Sequence, residues 1–180
     1  KVLIQNGADV NAVDEWKTTP LHGAVDDRKM PQLQSAGEGG YFDVLKILIE
    51  NGVDVNAVTR SKESALCMAS YRGYVDIAKV LIQNGADLNA VYGAKKTALH
   101  YTSYCGYADV AKLLLQNGAD VNARHYNETV LLSTTDCHDN ITSKILIKNG
   151  AEIHHAAEDG CTALHRAARW GMPDVLHMLI

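Results

Sequence analysis

Eight histidines and four cysteines are the side chains in this 180-residue chain best suited to chemistry, and their spacing argues against it. A structural metal site pairs its ligands about two to five residues apart. Cys67, Cys105, Cys137 and Cys161 offer no such pair. His154 and His155 are adjacent, but no further ligand stands near them in sequence. No GxSxG, phosphate-loop or HExxH pattern occurs. Asn127-Glu128-Thr129 and Asn140-Ile141-Thr142 match the glycosylation sequon, a motif common by chance that matters only in a secreted chain. The expectation is a chain with no catalytic residues, metal or cofactor.

The elements that carry these residues repeat. Asn-Gly pairs begin at Asn6, Asn51, Asn84, Asn117 and Asn149, in steps of 45, 33, 33 and 32 residues. A fixed period near 33 signals stacked structural units. "TPLH" at Thr19, "SALC" at Ser64, "TALH" at Thr97, "TVLL" at Thr129 and "TALH" at Thr162 fall into the same register. Threonine can cap a helix with its side-chain oxygen, and proline fits the first helical position, where its missing N–H costs nothing. Small residues follow, and Gly73, Gly106 and Gly171 then end the first helix in left-handed geometry. A second helix starts near Asp43, Asp76, Asp109 and Asp174, where an acid suits the positive end of the helix dipole. Its rows "VLKILI", "IAKVLI" and "VAKLLL" bury one face and turn Lys46, Lys79 and Lys112 outward. Asn-Gly closes it.

Two short antiparallel helices and a hairpin-like turn, carrying "TALH", "GYADVAK" and "LLLQNGADVNA", resemble the ankyrin repeat over essentially the whole chain. The resemblance implies an all-α solenoid of stacked helix-turn-helix repeats in a single domain, 1–180, acting as a non-enzymatic protein-protein interaction module. The register gives a remnant at 1–13 and repeats at about 14–58, 59–91, 92–124, 125–156 and 157–180. Lys1 and Ile180 both fall inside second helices, so a piece of a longer array is expected. The resemblance also gives His22, His100 and His165 the task of hydrogen-bonding turn backbone. It makes Asn11, Asn56, Asn89 and Asn122 candidates for hydroxylation in an animal host, beside their simpler role of stabilising the turn.

Three places depart from the pattern. Twelve extra residues stand between Thr19 and Asp43, and both "PLHGAV" and "QLQSAGEGG" fit the first helix. The insertion, about 26–39, is either a tolerated surface loop or a specificity loop. The repeat at 125–156 is one residue short before Thr129, has Thr134 and Thr135 at small-residue positions, and has His138 in place of the helix-ending glycine. It is expected to be the weakest joint, with replacement of both threonines by alanine stabilising it. Finally, the glycine expected two residues before the threonine is present only at Gly160. Lys17, Lys62, Lys95 and Asn127 hold that column, where positive φ is wanted.

Composition narrows the partner. A net charge of -4 gives no broad basic field, and no apolar run reaches the ~20 residues of a membrane span. The absence of a signal-peptide pattern and of a disulfide framework favours a cytoplasmic chain; Cys105 and Cys137 share a column of neighbouring repeats, but stacked helices stand ~8–10 Å apart. The expected partner is a protein, met by a monomer without nucleic acid or membrane. In the family, turn-tip residues and the end of the first helix build a concave binding face. Carried over, those columns give Trp16, Arg60, Glu63, Tyr71, Arg72, Lys96, Tyr104, Tyr126, Arg169 and Trp170. Trp, Tyr and Arg are the types most enriched at binding hot spots. The alternative is a mechanical spacer within a larger protein, its open face unused.

Overall fold

The computed structural model describes residues 2–26, 41–91, 93 and 95–180. Most of the insertion, including the second candidate for the first helix at Gln32, lies outside them. The element order begins α1 (Val2–Gln5), α2 (Pro20–Val25), α3 (Tyr41–Glu50), α4 (Ala65–Arg72) and α5 (Val75–Gln83). It continues α6 (Ala98–Cys105), α7 (Ala108–Gln116), a hairpin of β1 (Arg124–His125) and β2 (Glu128–Thr129), and α8 (Val130–Asp136). The remaining helices are α9 (Asn140–Lys148), α10 (Ala163–Arg169) and α11 (Pro173–Leu179). Contacts divide the chain into two compact units, 1–69 with 74–87, and 70–73 with 88–180.

In the second unit α6, α8 and α10 pack in series, as do α7, α9 and α11, and each first helix also packs on its own second helix. Leu99, Leu131, Leu132, Leu114 and Leu146 are fully buried between them. Each such leucine contributes about 1.5–3 kcal/mol relative to exposure. Small residues Ala98, Ala111, Ala163 and Ala167 let the helices approach. In the first unit Leu21, Leu45, Leu66 and Leu81 take the equivalent places.

The repeated residues act through the backbone. Thr19, Thr97, Thr129 and Thr162 are N-caps, and Pro20 opens α2. Asn51, Asn84, Asn117 and Asn149 each turn their side-chain amide back onto the carbonyl four residues earlier, at 2.7–2.8 Å. That gives a helix-end carbonyl a side-chain donor, which at Val80 and Ile145 joins the backbone N–H of the same asparagine. The glycine that follows then takes φ between 80° and 95°. Gly73 is fixed twice over, because φ is 74° and a Cβ there would fall 2.6 Å from the Tyr107 ring.

The second asparagine of each turn bridges repeats. Asn56 donates to the Gly85 carbonyl (3.0 Å) and accepts from the Asp87 N–H (2.9 Å). Asn11 does the same with Gly52 and Asp54, Asn89 with Gly118 and Asp120, and Asn122 with Gly150 and Glu152. Turn stabilisation is therefore a role these four side chains visibly perform.

The turn tips explain the lysine column. Asp14, Thr59 and Ala157 each accept from the residue three ahead and donate to the carbonyl four ahead, closing a three-residue loop. Such a loop wants left-handed φ at its last residue. Lys17 (57°), Lys62 (58°), Lys95 (62°) and Gly160 (77°) supply it. The lysines adopt the conformation rather than relaxing out of it. Asn127 does not: the missing residue shortens this turn to two loop residues, with His125 paired to Glu128, and the positive φ moves to Tyr126 at 54°. His138 takes the left-handed place of the absent glycine, at 56°.

Candidate functional site

Threonine and histidine at the heads of α2, α6 and α10 form a closed unit. The Thr97 N–H and hydroxyl both meet His100 Nδ1, at 3.3 and 2.9 Å, and His22 and His165 hold Thr19 and Thr162 alike. With Nδ1 accepting, Nε2 carries the hydrogen. In His22 it donates to the Glu63 carbonyl of the next turn at 3.1 Å. Burial lowers the pKa of His22 and pushes His100 down to about 4. The His22 and His100 rings are thus neutral at neutral pH and bonded to turn backbone. His155 donates to the Asn127 carbonyl at 2.8 Å, so one member of the adjacent pair braces the shortened hairpin.

Among the described residues, no three His, Cys, Asp or Glu side chains gather where a metal ion could sit. Burial raises the thiol pKa of Cys105 and Cys137 and pushes Cys67 up to about 12, which leaves them protonated and poorly nucleophilic at neutral pH.

The aromatic candidates are exposed: Trp16 58%, Tyr71 53%, Tyr104 61%, Tyr126 71% and Trp170 45%. In the first unit Trp16, Arg60 and Glu63 line one open cavity of about 470 Å³, with Asp14, Thr18 and Met68 among its walls. Two loops are joined there by the Arg60 N–H donating to the Trp16 carbonyl at 2.7 Å. In the second unit Lys96 Nζ lies 5.2 Å from the centre of the Tyr104 ring, and Lys95 Nζ 5.8 Å from that of Tyr126. Tyr71 packs edge-on to Tyr101 at 6.2 Å, and Trp170 leans on His138 at 4.2 Å. Arg72 is half-buried, and Arg169 is exposed with a guanidinium nitrogen 3.9 Å from Cys161 Sγ. Tyr71 and Trp170 thus serve local packing as well as presenting a free edge.

One residue of consequence has no sequence signal in its column. Arg166 is buried on α10, and its guanidinium donates to the Leu132 carbonyl (3.1 Å), to Asp136 (2.5 Å) and to Glu128 (2.8 Å). Desolvation works against the Arg166 charge, and Glu128 and Asp136 outweigh it, so its pKa is raised. Desolvation raises Asp136 while Arg166 opposes it; the short contact holds the pair charged at neutral pH. Glu128 and Asp136, two acids at turn-tip and helix-end positions, are thereby held by the protein's own cation.

Two family models match the chain: one described as ankyrin repeats (3 copies) over residues 33–125, the other as ankyrin repeats (many copies) over 137–180. The interval between them, 126–136, holds the end of the shortened hairpin and α8. No curated protein matches the chain. No helix among the described residues is long and apolar enough to cross a membrane.

Proposed function

The chain belongs to the ankyrin-repeat family, and we propose that it binds a protein partner across the face made by its turn tips and first-helix ends. Ankyrin repeats are generally protein-protein interaction modules and typically non-enzymatic. The observation that carries the finer reading is the outward display of five large aromatic side chains at positions the repeat leaves free. Hydrophobic packing accounts for the leucines and alanines, yet it gives no reason for Tyr104 or Tyr126 to stand more than half exposed in these columns. Rigid amphipathic rings beside cationic side chains are what a hot spot is built from. Tyr71, Arg72, Lys96, Tyr104, Tyr126, Arg169 and Trp170 form the larger group, in the second unit, and Trp16, Arg60 and Glu63 the smaller, in the first.

The experiment is capture of a partner, its purification, and titration against single-site variants. Truncating a hot-spot aromatic costs ~2–4 kcal/mol, so Tyr104→Ala or Trp170→Ala weakens binding by roughly 30-fold or more. Lys46→Ala and Lys112→Ala, on exposed faces of the second helices, change it less than about threefold. Each variant is checked for an unchanged melting curve. Loss through the second-helix lysines with the aromatics silent would move the site to the opposite face.

A further inference from the structure

We propose that Lys95 over Tyr126 and Lys96 over Tyr104 form a two-cation clamp for an acidic peptide segment of the protein partner. This inference deepens the binding reading above and rests on it. Both ammonium groups stand within cation–π range of an exposed ring, which restrains each long side chain before any ligand arrives. Tyr126 is further held by the His125 ring at 4.6 Å. Lys95 keeps a left-handed backbone, the place where the corresponding residue of the last repeat is Gly160. Lys17 and Lys62 share that backbone, but among the described contacts only Lys95 has an aromatic ring beneath its charge.

The local charge favours an anion. The acids in the same columns of the following repeat, Glu128 and Asp136, are both engaged by Arg166, whose charge offsets part of their field. Tyrosine rings beside the ammoniums offer apolar area to a side chain flanking the carboxylates. A protein segment fits better than a nucleic acid, because the clamp holds two cations in a chain whose net charge is -4, and a polyphosphate would be repelled beyond it.

The test uses the full chain and dye-labelled, end-capped peptides of repeated Glu-Gly-Phe triplets, with Gln-Gly-Phe and Lys-Gly-Phe counterparts and an oligothymidylate of matched length, read by fluorescence anisotropy. The expected result is binding of the glutamate peptide at least about tenfold tighter than the glutamine peptide at low salt, falling at about 0.3 M salt, with no binding of the lysine peptide. The double variant Lys95→Gly with Lys96→Gln weakens the glutamate peptide by about tenfold or more. Glycine suits the left-handed backbone at residue 95, so this variant keeps the fold while removing the charges. Equal binding of glutamate and glutamine peptides, or an unaffected double variant, overturns the clamp. So does an oligothymidylate that binds more tightly than the glutamate peptide. If the captured partner still depends on Trp170 and Tyr104 while the glutamate peptide fails to bind, the clamp falls and the broader binding reading stands.

Discussion

The helix pair α6 and α7 and the helix pair α8 and α9, each with the turn that leads into it, are built by different means. In the first, the work is done by the periodic residues. Gly106 ends α6, the Thr97–His100 pair caps it, and Ala98, Leu99, Val110, Ala111 and Leu114 fill the core. Both turn tips hold a non-glycine residue in left-handed backbone, Lys95 at 62° and Tyr126 at 54°, and the second adds His138 at 56° where the first has Gly106. Side-chain bonds compensate. Asp139 caps α9 by accepting from Ile141 and Thr142, Arg124 pairs with Glu152, Lys144 with Asp174, and Arg166 ties α10 to α8 and β2. The comparison teaches that a degenerate repeat need not be a loose one. Its stability moves from the periodic residues to particular polar ties.

Removing the largest tie gives the largest effect. Arg166→Ala leaves the half-exposed Asp136 and Glu128 carboxylates without their shared cation and should cost about 2–3 kcal/mol in urea unfolding. The same substitution at Lys112 should stay within about 0.5 kcal/mol. Equal effects at the two sites would break the contrast.

Acid probes the other side of it. The folded pKa of His100 is depressed to about 4, below the unfolded value, so the unfolded chain takes up its proton first. Its stabilising contribution is complete above pH 6.5 and is lost as pH falls toward 4, by on the order of 3 kcal/mol. Leu132 already fills the same column in the degenerate repeat, so His100→Leu should fold and flatten that pH dependence. An unchanged slope in urea midpoints between neutral pH and pH 4 would remove His100 as its source.

The threonine pair sharpens the account. Thr134 and Thr135 are buried, and both hydroxyls donate to carbonyls of their own helix. The Ser143 hydroxyl donates to Thr134 Oγ1 at 2.9 Å. Sequence columns alone favour alanine at both places. With these bonds in view, Thr135→Ala should be neutral or slightly stabilising, while Thr134→Ala should cost about 1 kcal/mol by orphaning Ser143. Adding Ser143→Ala should recover most of that loss, and additivity of the two substitutions would deny the coupling. Amides of 129–147 are still expected to exchange faster than those of 97–115, and Arg166→Ala should widen the gap. Equal protection in both segments would remove the distinction. The smallest expectation is none at all: a strong chelator should leave the melting temperature unchanged, and a drop of several degrees would reveal a bound metal.

The period made the frame readable because caps, glycines and apolar rows are local devices, each specified within one repeat. Thr19-Pro20, Gly73 and the Asn-Gly pairs act where the columns place them. Arg166 was not readable, since its column holds Gly23, Met68, Tyr101 and Ser133 and follows no rule. Its partners come from 30 and 38 residues earlier, a pairing no period encodes. The shortened turn was visible as a missing residue. Its consequence, left-handed backbone at Tyr126, needed the hairpin register. For the candidate site the columns gave exposure, while the rings under Lys95 and Lys96 and the lean of Trp170 on His138 depend on side-chain directions that sequence does not fix.

The asparagine bridges have a direction. Asn11, Asn56, Asn89 and Asn122 each reach toward the C-terminus, to a carbonyl and an N–H lying 28 to 43 residues ahead. On a ribosome, each of these side chains emerges before the groups it will bind. Its amide stays in water until about one further repeat has been made, and then closes two bonds at once. The bridges should therefore latch one after another in the order of synthesis, each needing only the next repeat. No bridge waits for the whole chain, so the growing polypeptide exposes at most about one unlatched turn at a time.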